Sequence, residues 1–134
     1  MNSSPKSPSF TFDKEINTQS INALYGDDYL YIEEVFQTVL KEYHVLADNI
    51  ISSYTSKNIP ALKAAVHKIK PIFGFVGLIE VQQQCQQFEN VCQSVSSFEM
   101  IATDYSLLEN NLIRSKSLIE QEKNKLAIFN SQQT

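Results

Sequence analysis

Apolar residues recur at steps of three and four along most of the chain and fall into four blocks. The first runs Ile32, Phe36, Val39, Tyr43, Leu46, Ile50 and Tyr54, the stripe of a long amphipathic helix. Asp27 or Asp28, after Gly26, suits its N-cap, and a short helix over 18–25 precedes it. A polar Ser-Lys-Asn turn leads to the second block, with Asn58 as cap and Pro60 in the first turn, where a missing amide costs nothing. Its stripe is Leu62, Val66, Ile69, Phe73 and Val76. The third carries Leu78, Val81, Cys85, Phe88, Cys92 and Val95, with glutamines at 82, 83, 84, 86 and 87 covering the other face. The fourth, starting after Thr103 or Asp104, carries Leu108, Leu112, Ile119, Leu126 and Phe129, and Ser115 and Glu122 interrupt it.

Strand-like alternation is absent, and no repeat is visible. Four amphipathic helices joined by short turns bury their stripes most economically against one another, which predicts an all-α, antiparallel up-and-down four-helix bundle with a short extra N-terminal helix. With 134 residues the chain has length for one domain. We draw it as a flexible tail over 1–12, polar and rich in Pro and Ser, a bundle over 13–130, and a flexible C-terminus over 131–134. No apolar run approaches a membrane span and no signal-peptide pattern opens the chain, so the expected setting is cytoplasmic, as a stand-alone protein or as a domain of a longer one.

The net charge of −4, with Arg114 as the single arginine, argues against nucleic acid as a partner. Cys85 and Cys92 lie seven apart, on one helical face, a spacing unlike metal or redox pairs; they are expected as small core residues. His44 falls in a different block from them, and no metal site is expected.

Against this acidic background, the window 49–79 contains Lys57, Lys63, Lys68 and Lys70 and no carboxylate. One-sided charge of this kind suits an anionic partner, a phosphoryl group included, although it is also compatible with a plain solvated face. His67 sits one position past the core residue Val66, on the solvent flank, with Lys63, Lys70 and Gly74 on its strip and Lys68 beside it. An imidazole there has a free nitrogen lone pair at neutral pH. Pro71 cannot donate to the carbonyl of residue 67, so the helix is expected to kink or loosen at the histidine's own turn. Gly74 and Gly77 add little bulk, which leaves a basic, accessible strip of low relief, and Gly77 is a natural helix stop.

The run His67-Lys68-Ile69-Lys70-Pro71, Gly77 ten residues after the histidine, and Phe88-Glu89 at plus 21 and plus 22 together resemble the motif of the histidine-containing phosphotransfer (HPt) domain. The resemblance implies that His67 carries a phosphoryl group between receiver-domain aspartates in a multistep two-component relay. It further implies that Lys70 steadies the phosphoryl charge and that Glu89 orients the imidazole. Lys63, Lys68, Pro71, Gly74 and Gly77 would meet the partner. The partners implied are response-regulator receiver domains, and a hybrid histidine kinase where one exists. Magnesium would sit on the receiver, and this chain would need no cofactor. With no Gly-rich nucleotide loop it would be a carrier, not an autophosphorylating enzyme. The family usually has glycine where this chain has Pro71. Two other readings stay open from the residues alone: a docking module of the same fold that accepts no phosphate, and a structural helical domain of a larger sensor. A monomer is expected in the carrier reading.

Overall fold

The computed structural model describes residues 9–133. These form five α-helices and no strand: α1 (Thr18–Tyr25), α2 (Tyr29–Thr55), α3 (Ile59–Phe75), α4 (Ile79–Ser94) and, after a 3-10 turn at Phe98–Ile101, α5 (Ala102–Ser131). The helix starts follow local chemistry. Asn17, Asp28 and Asn58 each accept a backbone N–H from the first turn of α1, α2 and α3, so Asp28 rather than Asp27 is the cap. Helix α5 begins slightly before the expected Thr103, because the 3-10 turn runs straight into it and no side chain caps it.

The four long helices pack as α2–α3–α4–α5 around a closed circuit, each antiparallel to its neighbour because the connections are short. All four predicted stripes turn inward. Phe36, Ile50, Leu62, Val66, Ile69, Phe73, Cys85, Ile119 and Leu126 form the centre of one continuous core. Cys85 and Cys92 are buried there, as their position in the third stripe implied.

The interrupted stripe of α5 has a specific cause. Glu122 is fully buried, and its carboxylate accepts the backbone N–H of Asp13 at 2.7 Å and the Lys125 ammonium at 2.9 Å. Phe12 is buried against Phe36, and Phe10 packs edge-on to Phe129 beneath the Lys125 ammonium. The tail drawn over 1–12 is therefore too long: residues 10 and 12 are part of the packed bundle, because two phenylalanines supply the apolar area that the serines and prolines before them lack. Residues 1–8 of that tail lie outside the described residues. At the other end Ser131 closes α5, so the bundle extends one residue past 130, and Thr134 lies outside the described residues.

One expectation about the α3 turn also changes. Helix α3 runs through Pro71 to Phe75 without ending, four residues past the missing amide. It stops at a Schellman motif: the Leu78 N–H reaches the Phe73 carbonyl at 2.8 Å and the Gly77 N–H the Gly74 carbonyl at 3.2 Å. Gly77 has φ +75°, and an added Cβ would lie 2.9 Å from Ile16 Cγ2 and 3.0 Å from Ile21 Cγ1. Gly77 is thus buried under the N-terminal segment, which hydrogen-bonds it through Asn17 N–H at 2.8 Å, and is not on a partner-facing surface.

Candidate functional site

The seam between α3 and α4 carries a ladder of facing side chains. Lys63 meets Gln93, His67 meets Glu89, Lys70 meets Gln86, and Gly74 lies against Gln82. Each step of three or four along α3 is matched by an equal step backwards along α4, which is the register of two antiparallel helices. The core stripe of α4 (Val81, Cys85, Phe88, Cys92) lies one position before each of these polar residues, so burial of the stripe aims the ladder at α3.

At the centre of the ladder, His67 Nδ1 is 2.9 Å from Glu89 Oε1. The side chain of His67 is 69% exposed and that of Glu89 6% exposed, so the pair joins a wet imidazole to a buried carboxylate. A carboxylate only accepts, hence Nδ1 carries the hydrogen and Nε2 keeps its lone pair. The Lys70 ammonium is 3.4 Å from the same Nδ1. Both Lys70 and Nδ1–H are donors, so the shorter contact to Glu89 fixes the tautomer and the longer one is simple proximity.

Lys70 has two close acceptors: Gln86 Oε1 at 2.6 Å and Glu89 Oε2 at 2.7 Å. The second lies off the hydrogen-bonding direction, so buried Oε2 is balanced by the charge of the ammonium and not by a directed hydrogen bond. With the Lys70 side chain only 17% exposed, the ion pair is partly desolvated and the attraction between its charges little screened by water. Cys85, one turn before Glu89, is the other potential nucleophile nearby. Burial pushes its thiol up to about 12, helped by the Glu89 charge and opposed by Lys70, so it stays a neutral thiol.

Of the remaining residues expected at the site, Lys68 and Pro71 are exposed beside His67, Gly74 is half-buried, and Lys63 is half-buried and donates to Gln93 at 2.9 Å. Gly77 does not join them. Lys68 and Pro71 also line an open hollow of about 470 Å³ with Val45 and Phe75, and Phe75 continues into a second apolar hollow formed with Leu24, Tyr25 and Tyr31. The sequence pattern placed Gln86 in a general polar covering and did not single out Gln93. Their signal was available in the alignment of positions 82, 86, 89 and 93 on one side of the α4 stripe.

A family model described as the Hpt domain matches residues 34–121, from the first turns of α2 to the second half of α5. The chain belongs to the Hpt domain family. This family serves histidine phosphotransfer in two-component signalling, its members acting as carriers rather than as enzymes in the usual sense. The Hpt fold is shared with a solved structure, the HPT domain from the Hpt sensor hybrid histidine kinase of Shewanella. That match has a TM-score of 0.70 at 14% identity and covers 83% of this chain and 95% of the other. No curated protein matches the sequence. Among the described residues, no helix is long and apolar enough to cross a membrane.

Proposed function

We propose that this Hpt domain accepts a phosphoryl group on Nε2 of His67 from the aspartyl phosphate of one receiver domain and passes it to the aspartate of another. The observation that carries this reading is the contact between exposed His67 and buried Glu89, which keeps the hydrogen on Nδ1 and the nucleophilic lone pair outward.

The step balances without a proton leaving the site. Nε2 attacks phosphorus, the Nε2–P bond forms, and the bond from phosphorus to the aspartyl oxygen breaks, releasing a carboxylate. The ring keeps Nδ1–H and becomes cationic, and the Glu89 carboxylate 2.9 Å away stabilises that charge. The return step runs the same path towards the next receiver. Lys70 lies close enough to turn its ammonium towards the phosphoryl oxygens.

The window bearing Lys57, Lys63, Lys68 and Lys70 suits an acidic receiver site, and the hollows around Phe75 offer apolar area beside it. Lys63, Lys68, Pro71 and Gly74 belong to the docking surface in this reading. Magnesium enters with the receiver. The domain works as a monomer in the cytoplasm, with receiver domains and, where one is present, a hybrid kinase as partners.

The test is transfer from a broad set of phosphorylated receivers to this protein and to His67→Gln. Label that is acid-labile and alkali-stable, present on the parent and absent from the variant, supports the carrier role. Receivers that bind both forms equally while labelling neither would leave a docking module instead.

A further inference from the structure

Lys70 holds two acceptors of unequal strength. Glu89 Oε2 is a charged partner at 2.7 Å, and Gln86 Oε1 is a neutral one at 2.6 Å. The amide orientation of Gln86 is fixed by chemistry. An ammonium only donates, so Oε1 must face Lys70, and the Gln86 NH2 then faces Asn90 Oδ1, which it meets at 3.1 Å. Gln86 and Asn90 are both exposed on α4, one turn apart, and neither contributes to the core. Nothing in the packing of the bundle requires this pair. What the pair does is hold the Lys70 ammonium at the Nδ1 end of the His67 ring, 3.4 Å from a nitrogen that cannot accept from it.

We propose that Gln86, braced by Asn90, is a positioning residue that competes with the phosphoryl group on His67 for the Lys70 ammonium and so sets how strongly this domain retains the phosphoryl group. The proposal rests on reading His67 as the phosphoryl acceptor. A phosphoryl group on Nε2 brings three strong acceptor oxygens close to Lys70. One of its three N–H groups is still free to donate, but the ammonium stands at the Nδ1 end of the ring, and turning towards a group on Nε2 draws it away from an acceptor it already has. The Glu89 contact is a partly desolvated attraction between opposite charges and the Gln86 contact a hydrogen bond to a neutral amide, so the exchange takes place at Gln86 and not at Glu89. The Gln86 contact belongs to the unphosphorylated state, and it shifts the equilibrium away from phosphorylated His67.

The experiment measures the equilibrium between a phosphorylated receiver and this protein for the parent, Gln86→Leu and Gln86→Glu, each also made with Lys70→Met, after circular dichroism has shown that all are folded. Leucine removes the competing acceptor and is expected to shift the equilibrium towards phosphorylated His67 by about two- to tenfold, the span of one ordinary hydrogen bond. Glutamate competes harder and is expected to shift it the other way. With methionine at position 70 both effects vanish. A flat series on a labelled parent overturns the role of Gln86 while leaving the carrier reading intact. Equal shifts without Lys70 also overturn it, since residue 86 would then be acting on the receiver directly. A parent that no receiver labels removes the carrier reading and this inference together.

Discussion

Glu89 Oε1 and His67 Nδ1 stand 2.9 Å apart across the α3–α4 seam, one buried and one exposed. Removing the acceptor by Glu89→Ala frees the tautomer and leaves Lys70 without its charged partner. A charge-assisted hydrogen bond contributes about 1.5–3 kcal/mol, so transfer from a phosphorylated receiver should slow by about 10- to 100-fold in single-turnover measurements. Glu89→Gln keeps an acceptor without the charge and should fall between the two. Equal rates in all three proteins would remove Glu89 from the mechanism.

Gly77 ends α3 at φ +75° with Ile16 and Ile21 occupying the space a Cβ would need. Gly77→Ala adds a methyl in a conformation that costs an L-residue about 1–2 kcal/mol before any clash is counted. Urea unfolding should show a loss of at least that size, together with loosening of residues 16–21 in hydrogen exchange. An unchanged midpoint would mean that neither the turn nor the contact constrains this residue.

The buried Glu122 carboxylate is the anchor of the N-terminal segment through the Asp13 N–H. Glu122→Ala should destabilise the fold by about 1–3 kcal/mol, the cost of an unsatisfied buried donor. The loss should be local first, with faster exchange and proteolysis over residues 10–16 while α3 and α4 remain protected. Uniform loss of protection across the bundle would contradict the anchoring role.

Both thiols are held above their ordinary value of 9.0: Cys85 at about 12 and Cys92 at about 11, in each case chiefly by burial. A raised thiol binds its proton more tightly in the folded state, so its contribution to stability is complete below pH 9 and is lost as the pH rises through 9 towards 11 and 12. Stability measured across that range should fall, and less steeply in Cys85→Val. At pH 8 a thiol reagent should label neither cysteine until the protein unfolds; rapid labelling of native protein would contradict the burial.

The periodicity of the four stripes carried the bundle, because burying one face of each helix leaves a single economical arrangement. The spacing from His67 to Glu89 carried the centre of the site, since residues 22 apart on successive antiparallel helices meet only in one register. The rest was hidden for physical reasons. Glu122 looked like a flaw in an apolar stripe, and only the tertiary contact with Asp13 makes it an anchor. Phe10 and Phe12 lay inside a polar stretch, where their burial depends on a surface made by α2 and α5. Gln86 sat among several glutamines, and only its place with Gln82, Glu89 and Gln93 on one side of the α4 stripe singles it out as a residue facing α3. Pro71 removes one backbone hydrogen bond, yet the packing of Ile72 and Phe73 carries α3 onward for another turn, as the stripe through Phe73 implied.

The central claim concerns which nitrogen bonds to phosphorus. The direct measurement is nuclear magnetic resonance of the phosphorylated protein with 15N-labelled histidine. The account predicts a one-bond coupling between phosphorus and Nε2 of His67, with Nδ1 still carrying its hydrogen towards Glu89. Coupling to Nδ1, or phosphate bound anywhere other than His67, would contradict it.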